Sequence, residues 1–132
     1  MATTNLPESS STPLSLPERM PAIGARGRRP VSAPDALSDI FLPVPRPAGQ
    51  DVLVEVQGVS VNPVDVKVRA GAATTGAPRV LGCDAAGVVV AVGDEATRFA
   101  VGDRVYYAGQ IDRPGTNARF HLVNENIVGH AP

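Results

Sequence analysis

The chain has 132 residues, enough for one domain, and carries a formal net charge of −1. That balance leaves no electrostatic footprint for nucleic acid or an acidic membrane surface, and 43% hydrophobic residues is a globular composition. A single cysteine excludes an intramolecular disulfide and a multi-cysteine zinc site, and no apolar run approaches the ~18 residues a membrane span needs.

Residues 1–19, MATTNLPESSSTPLSLPER, have no periodic apolar face and read as a disordered tail. They also lack the charged and apolar regions of a signal peptide, so a cytoplasmic location is expected. The domain is expected to occupy 20–132. Met20 opens a strand-like stretch, MPAIGARGRRPVS. Asp39 to Leu42 read as a short strand. Pro43, Pro45 and Pro47 alternate after it, which excludes a helix or a central strand there. Ala48 and Gly49 give a turn.

The segment 51–61, DVLVEVQGVSV, alternates as a strand should. Val52, Val54 and Val56 share one face; Leu53, Glu55 and Gln57 share a wetter one. Gly58 suggests a bulge or bend. In NPVDVKVRAG, Asn62 suits an N-cap and Pro63 the first position of a short helix, which Gly71 can end. The β-branched valines leave a 3₁₀ turn as the alternative. Residues 72–79 read as a loop. Gly87 to Val92 form a second strong strand, closed by a Gly93-Asp94 turn. A turn over 99–103 leads into a third strand from Arg104 to Tyr107. Pro114-Gly115 make a further turn, Asn117 to Val123 a fourth strand, and Ile127-Val128 a short fifth. Short strands separated by glycine turns indicate an all-β barrel or sandwich. No GxGxxG or Walker pattern occurs, and no βαβ unit that could use one.

Four segments, DVLVEVQGVSVNPVDVKVRAG, VLGCDAAGVVVAVG, FAVGDRVYYAG and GTNARFHLVNENIVGHAP, follow one another between Asp51 and Pro132. With them, residues 20–132 resemble the N-terminal, GroES-like domain of the medium-chain dehydrogenase/reductase superfamily. The branch they resemble is that of the quinone oxidoreductases and zinc-type alcohol dehydrogenase-like proteins. The resemblance implies a mainly β, partly open barrel with one or two short helices. It also implies a Rossmann domain, absent from this chain, that would bind NADP(H); the chain is thus expected to be truncated on its C-terminal side. The face left by that missing domain is expected to be apolar and to favour a homodimer.

The resemblance also places the candidate chemistry. Asn62 stands where the zinc enzymes of the superfamily have their first catalytic ligand, a Cys. An amide is a poor zinc ligand, but it can donate to a carbonyl oxygen or to the nicotinamide amide. Asn62 is therefore both a catalytic and a cofactor-binding candidate, the alternative being a plain cap before Pro63. Asp65, about one helical turn on, is a second catalytic candidate; its alternative is a solvated carboxylate paired with Lys67 or Arg69. Cys83 and Asp84 replace the His-Glu of the zinc enzymes, so no metal is expected. Tyr106 and Tyr107 point to opposite faces, and the Tyr107 hydroxyl is the candidate substrate contact. His121, between Phe120 and Leu122, is expected on an exposed face, and neither it nor His130 is assigned a role.

The implied activity is NADPH-dependent, zinc-independent hydride transfer to a quinone, enone or related carbonyl, with this chain as the substrate-side domain and inactive alone. The rival readings are a stand-alone β-barrel binding or co-chaperonin-like module and a zinc alcohol dehydrogenase fragment.

Overall fold

Valines at alternate positions put one strand at the centre of the molecule. The computed structural model describes residues 16–26, 30, 32–71, 77–110 and 112–132. Its strands are β1 (Arg19–Ala25), β2 (Leu37–Pro43), β3 (Asp51–Val59), β4 (Arg79–Val80), β5 (Asp84–Val92), β6 (Arg104–Ala108), β7 (Phe120–Asn124) and β8 (Val128–His130). The helix α1 (Pro63–Ala70) follows β3, and a 3₁₀ turn at Glu125–Ile127 precedes β8. Antiparallel pairing gives two sheets, ordered β2-β1-β4 and β7-β3-β5-β6-β8. The result is the mainly β, partly open GroES-like barrel that the motifs imply. No helix among the described residues is long and apolar enough to cross a membrane.

β3 is buried on both sides over its first half. Val52 and Val54 pack with Val89, Val105, Tyr107 and Val123. Leu53 points the other way, against Met20 and Phe120. All three β3 residues are 0% exposed, and burying a side chain the size of Leu53 contributes about 1.5–3 kcal/mol. The wetter face expected of this strand begins only at Glu55, because the three-stranded sheet covers Leu53. Gly58 does mark an irregularity: the β3–β5 register shifts between Val56 and Gly58. Opposite Val56, Gly87 lies so close to the Glu55 carbonyl that any Cβ would overlap it.

Several boundaries differ from the sequence reading. The tail does not extend to residue 19. Arg19 opens β1 and pairs with Pro43, and Leu16 packs against the Met20 cluster. Residues 1–15 lie outside the described residues, as do 72–76 of the expected loop. β2 runs from Leu37 to Pro43 because β1 supplies a partner along its whole length. The expected strand from Asn117 is split. Asn117 and Arg119 bond to Ile23 and Pro21 of β1, and the chain joins β3 from Arg119, whose carbonyl accepts the Val56 N–H, with the ladder proper from Phe120. The segment around Pro63 is an α-helix, not a 3₁₀ turn.

Glu125 is 1% exposed, and its carboxylate accepts the backbone N–H groups of Thr97 and Arg98 at 2.8–3.2 Å. It ties the 97–98 loop to the turn before β8. Glu125→Gln keeps one acceptor but loses the charge, and is expected to destabilise the fold by about 1–2 kcal/mol. Urea unfolding measures this; an unchanged midpoint would show that the loop is held by other contacts.

Candidate functional site

Three pieces of chain meet where β3 ends. Ser60 and Asn62 leave β3, α1 begins at Pro63, and β5 begins at Asp84 beside them, since Val59 pairs with Ala85. Gly82 makes the approach to β5 with φ of 104°, a left-handed conformation that suits glycine. A side chain there would also strike the Thr116 hydroxyl. Thr116 in turn donates to the Asp84 carbonyl at 3.0 Å, which fixes the start of β5.

Asn62 and Asp65 come together as their spacing suggests. The Asp65 carboxylate, 7% exposed, accepts the Asn62 backbone N–H at 2.8 Å. Asp65 N–H donates to the Asn62 carbonyl at 2.9 Å. Asp65 thus reaches back over the helix start instead of standing in solvent. The Asn62 side chain turns to β5: its Nδ2 donates to Asp84 Oδ2 at 2.9 Å. Ser60 Oγ donates to the same oxygen at 2.8 Å and lies 3.2 Å from Asn62 Nδ2. Two carboxylates therefore flank Asn62. Both raise the pKa of Cys83, after burial as the largest cause, while Arg79 opposes them. The thiol stays protonated and is not an activated nucleophile.

A cleft of about 10 Å³, room for about one water, touches Asp65, Cys83 and Arg79 on one side of this cluster. On the other side an open groove runs past Val59, Ser60, Asp84, Ala86 and Tyr106. Val59 and Tyr106 are 46% and 54% exposed, so the groove has an apolar rim.

Tyr107 is not brought to this cluster through its hydroxyl. Its ring is buried, and the hydroxyl is 2.7 Å from His121 Nδ1. Tyr106 is the exposed member of the pair. His121, expected on an exposed face, is 6% exposed, because β7 is covered on both sides: Phe120 faces the Met20 cluster and Val123 the Val54 cluster. His121 Nε2 donates to the Pro114 carbonyl at 3.1 Å, so Nδ1 is left to accept from Tyr107. Burial above all pushes this imidazole down to about 4. Ser60 went unmarked in the sequence, because its partner Asp84 is 24 residues away and no local pattern links them.

The model of the alcohol dehydrogenase GroES-like domain matches residues 48–129. A zinc-type alcohol dehydrogenase-like protein of Staphylococcus aureus (strain COL) is 52% identical over 88 residues, 67% of this chain and 26% of that protein. Human quinone oxidoreductase is 37% identical over 97 residues, 72% of this chain and 28% of that one. A crystal structure from Rhizobium etli CFN 42, described as a zinc-dependent alcohol dehydrogenase protein, superposes with a TM-score of 0.83 at 55% identity. It covers 87% of this chain and 33% of its own. The chain thus spans about a quarter of the length of the curated relatives it matches.

Two of those descriptions mention zinc, but the donor set here does not fit a catalytic zinc ion, which takes three protein ligands. Asn62 offers an amide, and Asp84 Oδ2 already accepts two hydrogen bonds. Among the described residues no three His, Cys, Asp or Glu side chains are grouped to hold a metal. Metal analysis of purified protein is expected to find well under one zinc per chain, and chelator to leave the melting temperature unchanged. Stoichiometric zinc that disappears in Cys83→Ser would overturn this.

Proposed function

Since the chain belongs to the alcohol dehydrogenase GroES-like domain family, we propose that it is the substrate-side domain of a larger, NADPH-dependent and zinc-independent oxidoreductase. Its substrates are quinones, enones or related activated carbonyls. The observation that carries this reading is the Asn62 side-chain amide, bonded to Asp84 and Ser60, which themselves line an open groove, while Asp65 holds the Asn62 backbone. The likeness to human quinone oxidoreductase supports the substrate class.

The cofactor, when bound, supplies the hydride. Among the described residues no glycine-rich strand-to-helix turn is present to hold a pyrophosphate. In this reading the phosphates are bound by the rest of the enzyme, and Asn62 serves the nicotinamide end or the substrate. Asn62 donates to the substrate carbonyl, whose oxygen gains negative charge as hydride arrives. Asp65 holds the backbone that carries this amide, so little reorganisation is needed when charge develops. Val59, Val61 and Tyr106 give the remaining domain an apolar face to pack on and keep water from the groove.

The test is to join the cofactor-domain portion of the Rhizobium etli relative to residue 132 and follow NADPH oxidation. Quinone-dependent oxidation that resists chelator is expected. A folded fusion that binds NADPH but reduces no quinone or enone, or that loses turnover on chelation, would overturn the proposal.

A further inference from the structure

We infer that Asp84, together with Ser60, is a positioning residue that fixes the orientation of the Asn62 amide. This rests on the reading of Asn62 as the ligand-facing group. An ionised carboxylate only accepts hydrogen bonds. Turning the Asn62 amide over would set its oxygen against Asp84 Oδ2, so Nδ2 is held on that side. The distances among Nδ2, Asp84 Oδ2 and Ser60 Oγ are 2.9, 2.8 and 3.2 Å. They close a nearly equilateral triangle, whose corner at Nδ2 is about half the ~120° between the two N–H bonds of a planar amide. Both oxygens therefore lie on one side of the amide nitrogen. Ser60 completes the lock: its hydroxyl proton goes to Asp84, so its lone pairs face the amide. The device spans two elements, β3 and β5, whose pairing sets its geometry.

The lock predicts a spectroscopic signature in the chain without cofactor or substrate. In NMR spectra of the 132-residue protein, the bonded side-chain proton of Asn62 should exchange slowly with water. Asp84→Ala should speed that exchange about ten- to a hundredfold, the range expected for losing a bond to an ionised acceptor. Backbone signals of β3 and β5 should stay dispersed. Asp84→Asn keeps a neutral acceptor and should give an intermediate rate; it decides the matter should Asp84→Ala fail to fold. Ser60→Ala should give a smaller acceleration. Unchanged exchange in a folded Asp84→Ala, or in Asp84→Asn, would overturn the inference. A locked amide in an inactive fusion would instead count against the proposed function and leave the positioning role standing.

Discussion

In the fusion enzyme, Asn62→Ala is expected to lower kcat by about ten- to a thousandfold, between the loss of an orienting bond and of a full oxyanion donor. A merely structural Asn62 would give another result: lower stability with nearly normal turnover. The geometry separates the two. The bond from Asn62 N–H to the Asp65 carboxylate uses the backbone, so it survives truncation to alanine and α1 keeps it. The melting temperature should therefore change little while turnover falls. Normal kcat in a stable Asn62→Ala enzyme would remove Asn62 from the reaction. Aspartate is the natural substitution from sequence alone, since it caps as well as asparagine. Next to Asp84 it is a poor choice: it would set a carboxylate against a carboxylate where a 2.9 Å hydrogen bond now lies.

Stability is expected to fall by about 3 kcal/mol between pH 6.5 and 4 through His121 alone. The imidazole is buried against Tyr107, with Arg113 disfavouring its charge and Asp51 and the Pro114 carbonyl favouring it; burial wins and its pKa is lowered from 6.5 to about 4. Between those values the unfolded chain takes up a proton that the folded chain refuses. Stability is therefore full above pH 6.5, declines as the pH falls, and stops declining from this source below about 4. Chemical unfolding at pH 7, 5.5 and 4.5 would show it, with His121→Leu as the comparison. The variant starts from a lower stability, because the Tyr107 hydroxyl loses its partner, but its decline across this range should be much shallower. Equal slopes in the two proteins would assign the acid sensitivity to other groups.

The sequence made the centre of the fold legible and its edges less so. Valine alternation located β3, glycines located the turns and the bulge, and Asn62-Pro63 located the start of α1. Each of these signals acts within a few residues. What escaped depends on contacts far apart in the chain. β3 and β7 look half-wet in isolation, yet the β1–β2 sheet covers Leu53 and Phe120, and Tyr107 covers His121. The same limit applied at the site. Asn62 and Asp65 are a local pair and were found together. Ser60 and Asp84 become partners only when β5 lies beside β3, so nothing local marks Ser60, and Asp84 stands out only as half of the Cys83-Asp84 pair and not as a partner of Asn62.

Residues 115–119 carry a different kind of consequence. Gly115 bonds to Val80, Asn117 to Leu81 and to Ile23, and Arg119 to Pro21 on one sheet and to Val56 on the other. This five-residue seam stitches the two sheets together, while the Ser60–Asn62–Asp65–Asp84 cluster lies wholly between β3, α1 and β5. Beside it the two sheets share the buried cluster of Met20, Leu53 and Phe120. Within the same stretch Thr116 donates to the Asp84 carbonyl, so the seam also reaches the strand that holds the Asn62 amide. A change in residues 115–119 would therefore act on the join between the sheets and on the start of β5 together.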